Sequence, residues 1–123
     1  MVVDYETIQP EAIPADEVDR IFHALADRTR RDIITRTMGA DHSVSSLADR
    51  YTMSFAAVQK HVAVLERADL VTKHRRGREQ LVRSNVTTIK RAQHLLEQLE
   101  LFWRDRIDRF ADVLDEQQSG AHP

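Results

Sequence analysis

The sequence predicts a mainly α-helical fold with one small β-hairpin, in the order of a winged helix-turn-helix. Three observations predict it. Apolar residues recur at three- and four-residue spacings along most of the chain, and Gly and Pro number only 3 each. Two short helical patterns are separated by no more than Thr52-Met53-Ser54. Two strand-like runs then flank Arg76-Gly77, and a long apolar-periodic segment closes the chain.

Met1–Pro14 carries Pro10 and Pro14 without apolar periodicity, and reads as an extended arm or tail. Asp16 opens a helix in which Val18, Ile21, Phe22 and Leu25 share one face. Asp27 is placed to cap a second helix, Arg28 to Met38, with Ile33, Ile34 and Met38 inward. Gly39 would end it with left-handed backbone. A third helix spans about Ser45 to Tyr51, with Leu47 and Ala48 inward. Ser54 caps a fourth, Phe55 to Ala68, with Val58, Val62 and Leu65 inward. Leu70–Arg75 and Arg78–Arg83 form the hairpin. The last helix runs from about Thr87 or Thr88 to Leu114, on a stripe of Ile89, Ala92, Leu96, Leu99, Trp103, Ile107, Phe110 and Leu114. The expected organisation is an arm (1–14), one domain (15–115) and a tail (116–123).

Composition excludes several classes. The 123 residues suffice for one domain. No cysteine is present, so disulfides, thiolate metal sites and a cysteine nucleophile are out. No apolar run is long enough to span a membrane, and the N-terminus has neither the basic start nor the apolar stretch of a secretory signal, so a cytoplasmic protein is expected. No phosphate-binding Gly-rich loop or nucleophile motif stands out, and no enzyme is expected. The net charge of −2 hides an asymmetry. Residues 51–85 carry seven Lys or Arg against three acids, whereas residues 1–19 carry six acids and no Lys or Arg. One basic face on an acidic chain suits nucleic acid.

Several segments resemble the ArsR/SmtB family of winged helix-turn-helix repressors. Ala24-Leu25-Ala26-Asp27-Arg28-Thr29-Arg30 resembles its Ala-Leu-(Ala/Ser)-Asp-Pro-Thr-Arg signature. Ser45-Ser46-Leu47-Ala48 resembles the opening of the first motif helix, and Met53 to Val62 the recognition helix. Val64-Leu65-Glu66-Arg67-Ala68-Asp69-Leu70-Val71 and Arg76-Gly77-Arg78 are similar to the turn and the wing. Phe102-Trp103-Arg104-Asp105-Arg106-Ile107-Asp108 is similar to the tail of the subgroup without metal-binding cysteines. Arg28 departs from the family's Pro, Asp69 from its Gly, and Gln59 from a common Ser. Asp tolerates left-handed backbone better than most residues, so the cap at Asp69 can survive. The resemblance implies a dimer through the terminal helices, an inverted-repeat operator, and autoregulation or control of a neighbouring operon.

A recognition helix needs small residues at its start and polar ones on its exposed face. Ser54, Ala56, Ala57, Gln59 and Lys60 meet both demands. Phe55 either touches a thymine methyl or packs on a neighbouring helix; His61 either meets a phosphate or is a partly buried structural residue. Lys73, His74, Arg75, Arg76 and Arg78 are expected together on the wing, where cations suit phosphate or the minor groove. Leu95, Leu96, Leu99, Phe102, Trp103, Ile107 and Phe110 exceed what one subunit's core can use, and are assigned in part to a homodimer interface. Trp103 lining a ligand pocket is the alternative. His94 and Glu97 have the spacing of half a family metal site, but Leu81-Val82-Arg83 offers no partner, so no metal and no cofactor are expected. A metal-responsive sensor and a winged-helix protein-interaction module without DNA binding stand as rival readings. Double-stranded DNA and a second copy are the expected partners, with an unidentified small-molecule effector left open.

Overall fold

A computed structural model describes residues 13–120, with side chains through residue 117. The elements are α1 (Ala15–Leu25), α2 (Arg28–Gly39), β1 (His42–Ser43), α3 (Val44–Ala48), α4 (Phe55–Arg67), β2 (Val71–Arg76), β3 (Glu79–Ser84) and α5 (Val86–Gly120). They divide into a unit spanning Ile13–Ala92 and a second whose described part is α5 from Gln93 onward.

In the first unit, side-chain caps set the helix starts. Asp27 accepts from the Arg30 N–H at 3.0 Å, Ser43 from Ser46 at 3.0 Å and Ser54 from Ala57 at 3.1 Å. Each removes one of the donors that a first turn leaves unmade. The α4 exit is equally specific. Leu70 N–H reaches Leu65 O and Asp69 N–H reaches Glu66 O, both at 3.0 Å, with Asp69 at φ 62°. That pattern is a Schellman motif, and it places Asp69 in the left-handed conformation expected of it. Leu65 and Leu70, the two apolar ends of the motif, are both buried.

Ile21, Ala24, Ile33, Ile34, Leu47, Val58, Val62, Leu65, Leu70, Val71 and Val82 form the core between the helices and the sheet. Ile13 packs half-buried against it and Pro14 precedes α1 as its N-cap; the rest of the expected arm lies outside the described residues. The sheet is antiparallel, in the order β1-β3-β2. A buried polar pair ties α2 to it: Thr37 Oγ1 and Ser84 Oγ lie 2.7 Å apart, each also 2.8 Å from a carbonyl of α2, so that one hydroxyl donates to the other and the second donates to its carbonyl. Both hydroxyls are thus satisfied, as burial demands.

The structure corrects several expectations. Met38 is exposed, and Thr37, one residue earlier, takes the inward place because its hydroxyl finds partners there. Gly39 is the last residue of α2 without positive φ, and extended backbone at Ala40 ends the helix. Phe22 sits at 36% exposure at the edge of α1, with Ala24 buried in its stead. The third helix is five residues long, capped by Ser43 rather than starting at Ser45, and residues 49–51 are turn. Strand β1 was not anticipated; two residues give no periodicity to read. The hairpin turns at Gly77-Arg78, with Arg76 paired to Glu79. Gly77 at φ 63°, followed by a residue without positive φ, has the signs of a type II′ turn.

α5 continues to Gly120, past the expected end at Leu114. Within the first unit it buries Thr88 and Ala92 and half-buries Ile89. Beyond Gln93 only Leu95, Gln98 and Asp105 are half-buried, and every apolar side chain from Leu96 to Leu114 is exposed. Ion pairs Glu100–Arg104 and Asp105–Arg109 are spaced one helical turn apart on this stretch, an arrangement that favours helix.

Candidate nucleic-acid interface

The fourth helix exposes the residues expected of a reader. Val58, Val62 and Leu65 point into the core and fix the rotation of α4. Ala56, Gln59 and Lys60 are then turned outward, and Ala57 is half-buried. Gln59 and Lys60 make no side-chain hydrogen bond or ion pair among the described residues, so their donors and acceptors are available to a ligand. Ser54 is exposed at the start of the helix, its Oγ already accepting from Ala57. Phe55 is 46% exposed, a position between the two readings of it.

His61 lies on the flank of α4 rather than on the Gln59–Lys60 face. Its Nδ1 is 3.2 Å from Nη1 of Arg30 and 3.9 Å from an Asp27 carboxylate oxygen. Arginine only donates, so Nδ1 is the acceptor in this contact. The same Arg30 donates through Nε to Ala24 O at 2.7 Å and through Nη2 to His23 O at 3.0 Å. One guanidinium therefore joins the end of α1, the start of α2 and the middle of α4. Asp27 titrates below the ordinary carboxylate range, chiefly because the Arg30 N–H bonds its charged form. The Asp-x-x-Arg spacing was visible in the sequence, but nothing there pointed to a histidine 31 positions away.

The wing separates the five residues expected on it. Arg75, Arg76 and Arg78 are exposed at its tip; Arg75 Nε donates to Gly77 O at 3.3 Å, and the side chains of Arg76 and Arg78 have no partner among the described residues. Lys73 is drawn back to α4, with Nζ 3.4 Å from Glu66. His74 Nε2 lies 3.3 Å from Asp41, which also accepts from Arg83 at 2.9 and 2.8 Å. The Arg83 bonds hold the Asp41 carboxyl below its usual range. Strand alternation explains the split. Lys73 and Arg75 share the core face of β2, and His74 and Arg76 the other, so nearness along the chain does not give a common direction.

His94 makes a helix-surface pair, 3.9 Å from Glu97, with Gln98 Nε2 at 3.1 Å from its Nε2. Among the described residues no three His, Cys, Asp or Glu side chains gather as a metal would require. No helix among them is long and apolar enough to cross a membrane.

No protein-family model matches the chain. It is 32% identical over 97 residues to the HTH-type transcriptional regulator Rv2034 of Mycobacterium tuberculosis, covering 79% of this chain and 88% of that protein. It is 26% identical over 73 residues to the transcriptional repressor SdpR of Bacillus subtilis, covering 59% of this chain and 81% of the repressor. Among solved structures, an ArsR-like transcriptional regulator from Rhodococcus sp. RHA1 superimposes with a TM-score of 0.72 at 33% identity, over 80% of this chain and 92% of that one. These likenesses join a helix-turn-helix and hairpin already evident in the geometry: the chain belongs to the ArsR family of winged helix-turn-helix transcriptional regulators.

Proposed function

We propose that this DNA-binding regulator is a cytoplasmic repressor that occupies an inverted-repeat operator as a homodimer, with α4 in the major groove and the wing along the backbone. The observation that carries the reading is the outward face of α4. Two polar side chains without partners among the described residues stand behind small residues at the helix start, with arginines at the tip of the following hairpin. Gln59 suits adenine and Lys60 suits guanine or phosphate; Ser54, Phe55, Ala56 and Ala57 allow close approach. Arg75, Arg76 and Arg78 supply charge to the phosphates, whereas Lys73, His74 and His61 are engaged by Glu66, Asp41 and Arg30. Leu95, Leu96, Leu99, Phe102, Trp103, Ile107 and Phe110 supply the dimer contact. Six of these seven are exposed on a single chain and Leu95 is half-buried, which supports this, with Trp103 at 61% and Phe110 at 66%.

The test compares Gln59→Ala with Arg76→Ala on operator and scrambled duplex over a range of salt. A bidentate base contact discriminates by about 1–3 kcal/mol, so Gln59→Ala weakens the operator far more than scrambled DNA. Arg76→Ala weakens both by similar factors and lowers the salt slope by about two in a dimer, one for each phosphate. Equal effects of Gln59→Ala on both duplexes, or an unchanged slope for Arg76→Ala, would overturn the placement.

A further inference from the structure

A second basic surface, outside the helix-turn-helix face and the wing, lies along α2. A cleft of about 400 Å³ is lined by Arg28, Thr29, Arg31, Asp32, Thr35 and Tyr51. Its one carboxylate is already engaged: Asp32 accepts from Tyr51 Oη at 2.5 Å and from Arg36 Nε at 2.7 Å, and feels the charge of Arg50 as well. Arg28 and Arg31 thus line the cleft with Asp32, and Arg36 and Arg50 act on the same acid from beside it. Arg31 uses one nitrogen on Leu25 O at 2.8 Å, and the Arg28 side chain has no partner among the described residues. The Thr29 hydroxyl stands beside these cations, whereas Thr35 Oγ1 donates to Arg31 O at 3.1 Å.

The position of the cleft selects its occupant. Tyr51 is three residues ahead of Ser54, the cap of α4, and α2 touches the flank of α4 again where Arg30 meets His61. The cleft therefore adjoins the turn that leads into α4. A helix seated in a major groove is bordered by phosphate strands, and a cluster of guanidinium groups with a hydroxyl donor is the chemistry that holds phosphodiester oxygens. We propose that Arg28, with Arg31 and Arg50, is a second phosphate-contact surface that grips the DNA backbone bordering the groove occupied by α4. The proposal rests on the DNA-binding reading above. It also gives a role to a departure already noted, since the family pattern that this chain resembles has proline at position 28.

That departure supplies a gentle test. Arg28 is the first residue of α2, where proline is well tolerated, and Asp27 before it is at φ −97°, ψ 133°, the region a residue preceding proline prefers. Arg28→Pro thus removes the charge and leaves the helix intact, which thermal unfolding checks; Arg28→Gln serves if the proline variant does not fold. Binding to a mixed-sequence duplex is titrated over a range of salt for the wild type, Arg28→Pro and Arg28→Lys. Arg28→Pro is expected to lower the slope of log affinity against log salt by about two per dimer, and to weaken binding about ten- to thirty-fold at physiological salt. Arg28→Lys keeps the wild-type slope. An unchanged slope in a folded Arg28→Pro, or a slope lost equally in Arg28→Lys, overturns the proposal. A wild type that shows no salt-dependent binding instead removes the DNA-binding reading itself.

Discussion

Tyr51→Phe isolates the bond that fastens the turn of the helix-turn-helix to α2. The ring is half-buried and its hydroxyl donates to Asp32 at 2.5 Å. Burial first, and the Asp32 carboxylate second, raise the tyrosine pKa from 10.0 to about 12. The same bond is the largest of the influences that lower the Asp32 carboxyl. A hydrogen bond to a charged group contributes about 1.5–3 kcal/mol when well shielded, and solvent near this site reduces that to about 1–2 kcal/mol.

The two pKa directions set how that stabilisation depends on pH. Tyr51 has a folded pKa above its unfolded one, so its contribution is complete below pH 10 and is lost as pH rises toward about 12. Asp32 has a folded pKa below its unfolded 3.8, so its contribution is present above that value and is lost as pH falls through the lower one. Urea unfolding of wild type and Tyr51→Phe across this range should show a difference of about 1–2 kcal/mol on a neutral plateau, shrinking on both sides. Phenolate absorbance should show one tyrosine titrating late in the wild type and missing in the variant. A Tyr51→Phe protein as stable as wild type at neutral pH, or a difference that ignores pH, would refute the argument.

Asp69→Gly should stabilise the protein by about 0.5 kcal/mol, because glycine adopts left-handed backbone without strain but orders more chain on folding. Asp69→Val should cost about 1–2 kcal/mol in the same urea assay, and a valine variant as stable as wild type would contradict the φ of 62°. Unfolding of the wild type should shift to higher temperature as protein concentration rises, as a folded dimer requires. Trp103→Glu should remove that dependence and sediment as a monomer; a persistent dimer would move the interface elsewhere.

The parts of the fold legible in the sequence are those fixed by local chemistry. Asp27 and Ser54 announced their helices because a side-chain oxygen before an apolar repeat satisfies donors that the helix itself cannot. Val58, Val62 and Leu65 fixed the rotation of α4, and with it the outward direction of Gln59 and Lys60. Asp69 could be assigned left-handed backbone because it ends a helix where the family that the chain resembles has glycine, and Asp tolerates that conformation. What failed was local inference where tertiary partners decide. Met38 has the apolar character for the core, yet Thr37 occupies it, since Ser84, 47 positions on, offers its hydroxyl a partner. Gly39 is flexible enough to turn left-handed, but the chain leaves α2 through extended backbone at Ala40 and has no use for that freedom.

The candidate site divides along the same line. A basic run such as Lys73 to Arg78 reads as one patch in sequence, because charge is a property of each residue alone. Whether that charge is available to DNA depends on what faces it, and Glu66 and Asp41 claim two members of the run. The arginines of α2 show the converse. Arg28, Arg31 and Arg36 share α2 with Asp32, but Arg50 joins them only because Tyr51 folds back onto Asp32. Net charge along the chain is therefore a weak guide to the DNA-facing surface of this family member, and the pairing of each cation is the stronger one. By that criterion, among the described residues, the cations that should set its salt dependence include Arg76 and Arg78 on the wing, Lys60 on α4 and Arg28 on α2.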